Sequence, residues 1–148
     1  MPIPMFKPQT VHARRYARLS TLIGHTVHSD LDVVTYVAKG AKTKLIDLLT
    51  HEGLTRKELE FVIPKRTLTH RIEKKELLSR DESERGVRVA TLLVLAEQVL
   101  GDAKAATTWL RQPLTRFAGA TPLETAKTEQ GARLVETLLT QIDEGYFA

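Results

Sequence analysis

Residues 54–71 constrain the fold of this chain more than any other stretch, because a proline separates two short helical patterns there. Thr55 and Glu58 form a capping-box pair, which predicts a helix that begins at Arg56. Pro64 disfavours the helical conformation in the residue before it and can open the next helix, so we expect a tight turn at this point. Two short helices across a tight turn are the pattern of a helix-turn-helix.

The second helix of this pair has an apolar side and a basic side. Leu68 and Ile72 are four residues apart, so both are expected to face a core. A solvated helix face usually mixes Glu and Lys evenly, whereas bases dominate here, and this favours contact with nucleic acid. Two short amphipathic helices joined by a turn also occur in helical proteins that bind no DNA, so that alternative stays open. The candidate DNA-binding residues are Lys65, Arg66, Thr67, Thr69, His70 and Arg71.

Helix caps and glycines predict the remaining elements. Ser29 begins a helix that ends at Gly40, and its apolar surface is assigned to Leu31, Val34, Tyr36 and Val37. No alternating strand pattern bounded by turns occurs, so the predicted fold is all-α. Further helices are expected at residues 42–51, at residues 80–100 after a Ser79–Glu82 capping box, at residues 103–111, after Thr121-Pro122, and from Thr128 to a stop at Gly145.

The pattern predicts three segments along the chain. Residues 1–28 have three prolines among the first eight positions, and a helix is predicted over residues 11–23 that carries three arginines between positions 14 and 18. We interpret the segment as a solvated N-terminal extension, and pairing of these arginines with DNA phosphates or with a protein partner is the alternative. Residues 29–92 form the helix-turn-helix domain, and residues 93–148 form a small helical C-terminal domain. The helix over residues 80–100 is apolar on more than one side, so it is expected to be the spine that joins the two domains.

Charge is distributed unevenly along the chain, whose formal net charge is +4. Residues 1–44 carry seven bases and two acids, and residues 54–80 carry eight bases and four acids. Residues 113–148 carry three bases and five acids. The basic part can release counterions from a phosphate backbone, whereas the acidic end is free for another partner.

Composition argues against several kinds of function. The chain has no cysteine, so a thiol nucleophile, a thiolate metal site and a disulfide framework are excluded. No Gly-rich phosphate loop and no hydrolase or metalloprotease motif occurs, and we expect no catalysis and no cofactor. His25 and His28 have a spacing that suits a metal, but no further ligand set accompanies them, so no metal site is expected. No apolar run is long enough to span a membrane, and we expect a cytoplasmic protein.

Several motifs occur in a set order in the central and C-terminal parts of the chain. Arg66-Thr67-Leu68-Thr69-His70-Arg71 fits the signature R-T-L-x-x-R, and Glu82-Ser83-Glu84-Arg85 fits E-S-x-R. With the segments after them, these motifs resemble the Xre/MbcA/ParS-type antitoxins from about residue 40 to residue 148. Two departures are His70, where a second arginine is common, and Phe117-Ala118-Gly119-Ala120, where L-G-G is usual. The later segments are Gly101-Asp102, Ala106, Trp109-Leu110, Thr121-Pro122-Leu123, Thr128-Glu129, Gly131-Ala132 and Val135.

The resemblance implies an antitoxin of a type II toxin–antitoxin system. Its central domain would bind the operator of its own operon, and its C-terminal domain would bind and block a cognate toxin. In this family the toxin is often a RES-domain enzyme that depletes NAD. Two alternatives are a helix-turn-helix regulator without a toxin and a helical adaptor that binds only protein. Helix-turn-helix proteins usually bind DNA as two-fold dimers, so a homodimer is expected.

The last six residues are the predicted toxin-binding site. Asp143 and Glu144 lie at a helix C-terminus, where the helix dipole disfavours acids, and this indicates a cationic partner surface. The aromatic residues that follow are of the kind that dominates interfaces when they fill a pocket. Folding back onto the core is the alternative for these two aromatic side chains. The site comprises Asp143, Glu144, Gly145, Tyr146, Phe147 and Ala148.

Overall fold

The computed structural model describes residues 10–145, and every regular element in that range is helical, which confirms the all-α prediction. A single 3-10 turn, Thr115–Phe117, lies among the helices. Within the described residues, no helix is long and apolar enough to cross a membrane. The helices are α1 (Val11–Ile23), α2 (Asp30–Lys39), α3 (Lys44–His51), α4 (Lys65–Glu73), α5 (Arg80–Leu100), α6 (Ala103–Leu110), α7 (Pro122–Thr125) and α8 (Glu129–Asp143).

Helix α5 is the spine of the fold, as the sequence predicted. Its capping box is formed in both directions: the Ser79 hydroxyl accepts from the Glu82 backbone, and the Glu82 carboxylate accepts from the Ser79 backbone. One side of α5 joins a core cluster with α1 to α4, to which Leu110 of α6 and Leu123 of α7 also belong, and another side joins a second cluster with α6 to α8. Trp109 on α6 packs against both clusters, so the two halves share buried surface.

Residues 10–28 are part of the first core, which corrects the interpretation of this segment as a solvated arm. Leu19, Leu22 and Ile23 of α1 are buried, with at most 4% of their surface exposed. Arg18 donates to Glu52 at the end of α3 and to Glu97 on α5, at 2.6 and 2.9 Å. Helix α1 therefore ties α3 to the spine. The first nine residues of the predicted extension lie outside the described residues.

The first half of the predicted helix-turn-helix is a run of turns rather than an α-helix. The expected cap is present, since the Glu58 N–H donates to the Thr55 hydroxyl and the Glu58 carboxylate accepts from the Thr55 N–H. Beyond the cap, the backbone bonds mix two spacings, and the Leu59 N–H is shared between the carbonyls of Thr55 and Arg56. A cap favours the start of a helix, but the short distance to Pro64 leaves few residues to propagate it. Residues 55–63 are called the turn segment below.

Three side chains on the predicted apolar faces are exposed. Leu31 and Val34 on α2 are 72% and 62% exposed, and Ile72 at the end of α4 is 49% exposed. Helix α2 instead turns Tyr36 inward, where its hydroxyl accepts from the Lys42 N–H and donates to the Ile23 carbonyl. These two polar contacts fix the rotation of α2, and its amphipathic pattern alone did not reveal them.

The helices of the C-terminal half begin at the N-caps that the sequence predicted. Thr121 and Thr128 accept backbone N–H bonds at the starts of α7 and α8, and Asp102 does so for α6. Gly131 lies so close to the end of α7 that an added Cβ would be 1.6 Å from the Thr125 carbonyl oxygen. This close approach seats α8 on α7. The residues of α8 that are buried there are Gly131, Ala132, Val135, Leu138 and Leu139.

Candidate DNA interface and partner-binding region

Helix α4 is anchored by one large side chain and presents its basic end to solvent. Leu68 is 3% exposed and lines, with Leu59 and Ile63 among others, a void of about 10 Å³. Lys65 and Arg66 are exposed in the first turn, which contains no acid. Within the described residues, no side chain caps this helix end. The positive end of the helix dipole and two cationic side chains are therefore directed at the same place.

The other predicted contact residues of α4 differ in how accessible they are. Thr69 and His70 are exposed, and the Thr69 hydroxyl donates to the Lys65 carbonyl at 3.0 Å. Thr67 is half-buried. The structure thus brings Lys65, Arg66, Thr69 and His70 together on the outer side of α4, and their contact with DNA stays a prediction.

Arg71 is engaged inside the protein. Its guanidinium donates to the Glu82 carboxylate at 2.8 and 3.3 Å and to Glu76 at 2.9 Å. These carboxylates raise the pKa of Arg71, and the hydrogen bond that it donates to Glu82 has the largest effect. Burial works to raise the pKa of Glu82, but the hydrogen bonds from Arg71 and Ser79 outweigh it and hold that pKa below its usual value. Arg71 fixes the end of α4 to the start of α5.

The E-S-x-R motif performs similar internal bracing. Ser83 is fully buried, and its hydroxyl accepts from the Ala41 N–H at 2.7 Å. Arg85 donates twice to the Val62 carbonyl, at 3.2 and 3.1 Å, which satisfies a carbonyl of the turn segment. Sequence reasoning treated these residues only as a family signature. Their position in the first turns of α5, just after the Ser79 cap, was the available signal, because α5 was predicted to border the helix-turn-helix.

The predicted toxin-binding residues are at the end of α8. Asp143 is the last residue of α8, Glu144 follows it, and both are exposed. Gly145 has a φ of 83°, the left-handed conformation that ends a helix and favours glycine. The remaining predicted residues, Tyr146, Phe147 and Ala148, lie outside the described residues.

A cleft of about 630 Å³ runs between α1, α5 and α8, next to this end of the chain. Its walls are partly apolar, and its charged residues come from all three helices. Burial raises the pKa of Glu136 in the wall, although Arg15 and Arg133 oppose that shift. The lining residues include Val11, Arg15, Arg18, Glu97, Glu136 and Asp143.

Of the two histidines with metal-like spacing, His25 packs against an aromatic ring. The His25 ring stacks on the Tyr36 ring, with the centroids 4.3 Å apart and the planes 8° from parallel. Within residues 10–145, no group of three histidine or carboxylate side chains is placed to hold a metal ion.

Comparison with known proteins identifies both halves of the chain. Residues 32–90 match the family model of the antitoxin Xre-like helix-turn-helix domain. Residues 95–145 match the antitoxin Xre/MbcA/ParS C-terminal toxin-binding domain. The chain is 42% identical over 132 residues to a protein of Pseudomonas putida named Antitoxin Xre, across 88% of this chain and 83% of that relative.

Proposed function

Because the chain belongs to the Xre/MbcA/ParS family of antitoxins, we propose that it blocks a cognate toxin and represses its own operon by binding the operator. The proposed toxin is a RES-domain, NAD-degrading enzyme, as the family resemblance implies. The antitoxin acts by binding alone and performs no catalysis. Operator binding places its action in the cytoplasm, where the DNA is.

The basic first turn of α4 is the observation that carries the DNA-binding proposal. Lys65 and Arg66 are exposed beside the uncapped backbone of that turn, and the turn contains no acid to repel a phosphate. This arrangement suits either a phosphate held at the helix end or a guanine read by Arg66. Arg71 contributes through its bonds to Glu82 and Glu76, which hold α4 in place.

Replacing Arg66 by alanine tests this assignment. If Arg66 reads a base, operator binding weakens by about 1–3 kcal/mol and discrimination at that base falls. If Arg66 contacts only phosphate, binding weakens on all sequences and the salt slope falls by about one. Arg133→Ala is the matched control, since Arg133 is an exposed arginine on α8. An R66A protein that binds the operator like the wild type removes Arg66 from the interface.

For the toxin, we propose that residues 143–148 occupy or cover the substrate pocket. The exposure of Asp143 and Glu144 at the end of α8 supports this, because their carboxylates are available to a cationic pocket. Deleting residues 143–148 should release toxin activity in cells and leave operator binding near that of the wild type. Full neutralisation by the truncated chain would instead assign the contact to the helices between residues 103 and 142.

We also propose that the antitoxin forms a homodimer, alone or through the toxin. Exposed apolar side chains support this proposal, because Leu31, Val34 and Leu134 are each more than half exposed. Light scattering at micromolar concentration should give twice the chain mass. A strictly monomeric mass with and without toxin contradicts the dimer.

A further inference from the structure

One arginine of the C-terminal half holds the first part of the helix-turn-helix. Arg111 follows α6 and donates to both oxygens of the Glu58 carboxylate, at 2.8 and 2.7 Å. The same guanidinium also donates to the Gly53 carbonyl. Arg111 lies within the matched toxin-binding domain, whereas Glu58 and Gly53 lie within the matched helix-turn-helix domain. These bonds therefore join the two functional halves directly.

The segment that Arg111 holds has little regular backbone structure of its own. The Glu58 carboxylate accepts from the Thr55 N–H as well as from Arg111, so one side chain both caps the turn segment and binds Arg111. At the other end of the turn segment, Arg85 holds the Val62 carbonyl. A segment without a continuous helical ladder depends on such external bonds for its position.

A second contact from the C-terminal half reaches the same segment. The Lys127 ammonium lies 5.9 Å from the centre of the Phe61 ring, within the range of a cation–π contact. The backbone carbonyls of Ala126 and Lys127 are held by Arg88 of α5, at 3.2 and 2.9 Å. Lys127 is thus positioned by the spine.

The turn segment also forms the surface on which α4 packs. Leu59 and Ile63 are buried and line the same small void as Leu68, which is the one buried anchor of α4. A shift of the turn segment therefore moves the seat of Leu68, and the basic first turn of α4 begins three residues before Leu68.

We infer that Arg111 is a positioning residue for DNA binding, through which the toxin-binding half sets the placement of α4. The contacts within the helix-turn-helix are then not sufficient for full operator affinity, and the contact from Arg111 is also needed. This inference rests on the proposed operator binding.

The test is operator affinity of the full-length chain carrying Arg111→Ala or Glu58→Gln. Glutamine keeps a side-chain acceptor for the Thr55 N–H, so E58Q retains the cap and removes the charge that holds Arg111. Both variants should bind the operator about tenfold more weakly, within the usual range of coupling between sites, and should lose discrimination against unrelated DNA. Arg133→Ala, which breaks an exposed pair within α8, should bind like the wild type.

The E58Q result separates positioning from direct contact. If Glu58 only neutralised an arginine that touches DNA, removing the acid would strengthen binding and steepen its salt dependence. Stronger or unchanged operator binding by E58Q overturns the inference, as does an R111A loss that is equal on operator and unrelated DNA.

Hydrogen exchange of the free protein provides a readout that does not involve DNA. The amides of residues 55–63 should exchange faster in R111A than in the wild type, while those of α8 stay unchanged. Unaltered exchange in the turn segment overturns the inference. If the wild type does not bind the operator but R111A still speeds exchange in the turn segment, the proposed operator binding is wrong. The stabilisation of the turn segment by Arg111 would then still hold.

Discussion

Helix α4 buries one large side chain, Leu68, whereas α8 buries five residues along a continuous stripe. Polar contacts supplement this small apolar contact: Arg71 binds Glu82 and holds α4 directly, whereas Arg85 and Arg111 hold the turn segment on which α4 packs. Helix α8 depends on close apolar packing against α7 and α5. The helix-turn-helix half is therefore expected to be sensitive to charge, and the C-terminal half to volume.

The largest effect should come from adding volume to the toxin-binding half. In Gly131→Ala, the new Cβ would be 1.6 Å from the Thr125 carbonyl oxygen, so α7 and α8 must separate. We expect the free energy of unfolding to fall by about 3 kcal/mol, as in severe overpacking. Thermal melting measures the loss, and Gln130→Ala on the exposed side of the same turn is the control. A G131A protein as stable as the wild type would refute this close packing.

Removing the Arg71 side chain should cost less stability than Gly131→Ala. The comparison with Arg66→Ala should distinguish an arginine that stabilises the fold from one that faces solvent. Arg71→Ala leaves the Glu82 carboxylate without its guanidinium, and Glu82 has only 10% of its side chain exposed. We expect a loss of about 2 kcal/mol in stability, typical of an unsatisfied polar group. Arg66→Ala should change stability by less than about 0.5 kcal/mol, because Arg66 is exposed. Denaturant titration of both variants measures the free energy of unfolding. Equal losses would refute the assignment of Arg71 to the fold and of Arg66 to the surface.

Acid should weaken the two halves unequally. Arg111 holds the pKa of Glu58 below the ordinary value, and Arg71 and Ser79 do the same for Glu82 against the opposing effect of burial. Stability from a lowered carboxyl pKa is present above the unfolded value and is lost as the pH falls through the folded value. Between about pH 6 and about pH 3, the protection of amides against hydrogen exchange, corrected for the intrinsic exchange rate at each pH, should therefore fall in α4 before α8. Earlier opening of α8 would contradict this order.

The smallest effect is expected at Glu136. Burial raises its pKa in the folded state, so ionisation at neutral pH opposes folding, and the opposition fades on acidification through the folded value. Glu136→Gln removes that cost and should raise the melting temperature slightly at neutral pH. The gain should vanish well below 4.5, the ordinary value for glutamate. A melting temperature that falls at neutral pH would indicate that the carboxylate makes a net favourable contact.

Local signals predicted where helices begin and end, and tertiary contacts decided what faces the core. The caps at Ser29, Ser79 and Thr128 depend on residues within one turn, so the sequence was sufficient to place them. The turn segment depends on Arg85 and Arg111, which are far away along the chain, and no local pattern revealed them.

The first helix could have been predicted more fully. Leu19, Leu22 and Ile23 have the three- and four-residue spacing of a buried face, and all three are buried. The exposure of Leu31 and Ile72 was not predictable in the same way, because it depends on how each helix is rotated against its neighbours.

The bond between Arg18 and Glu97 also limits the order in which the chain can fold during synthesis. Arg18 emerges from the ribosome 79 residues before Glu97, which lies in the last turns of α5. Gly86 on the same helix fits so closely that an added Cβ would be 2.7 Å from Leu45, so α3 also waits for α5. Long-range contacts of this kind form only after the intervening chain has been made. A nascent chain thus completes the core of its helix-turn-helix half only after α5, the helix that both halves share, has been translated.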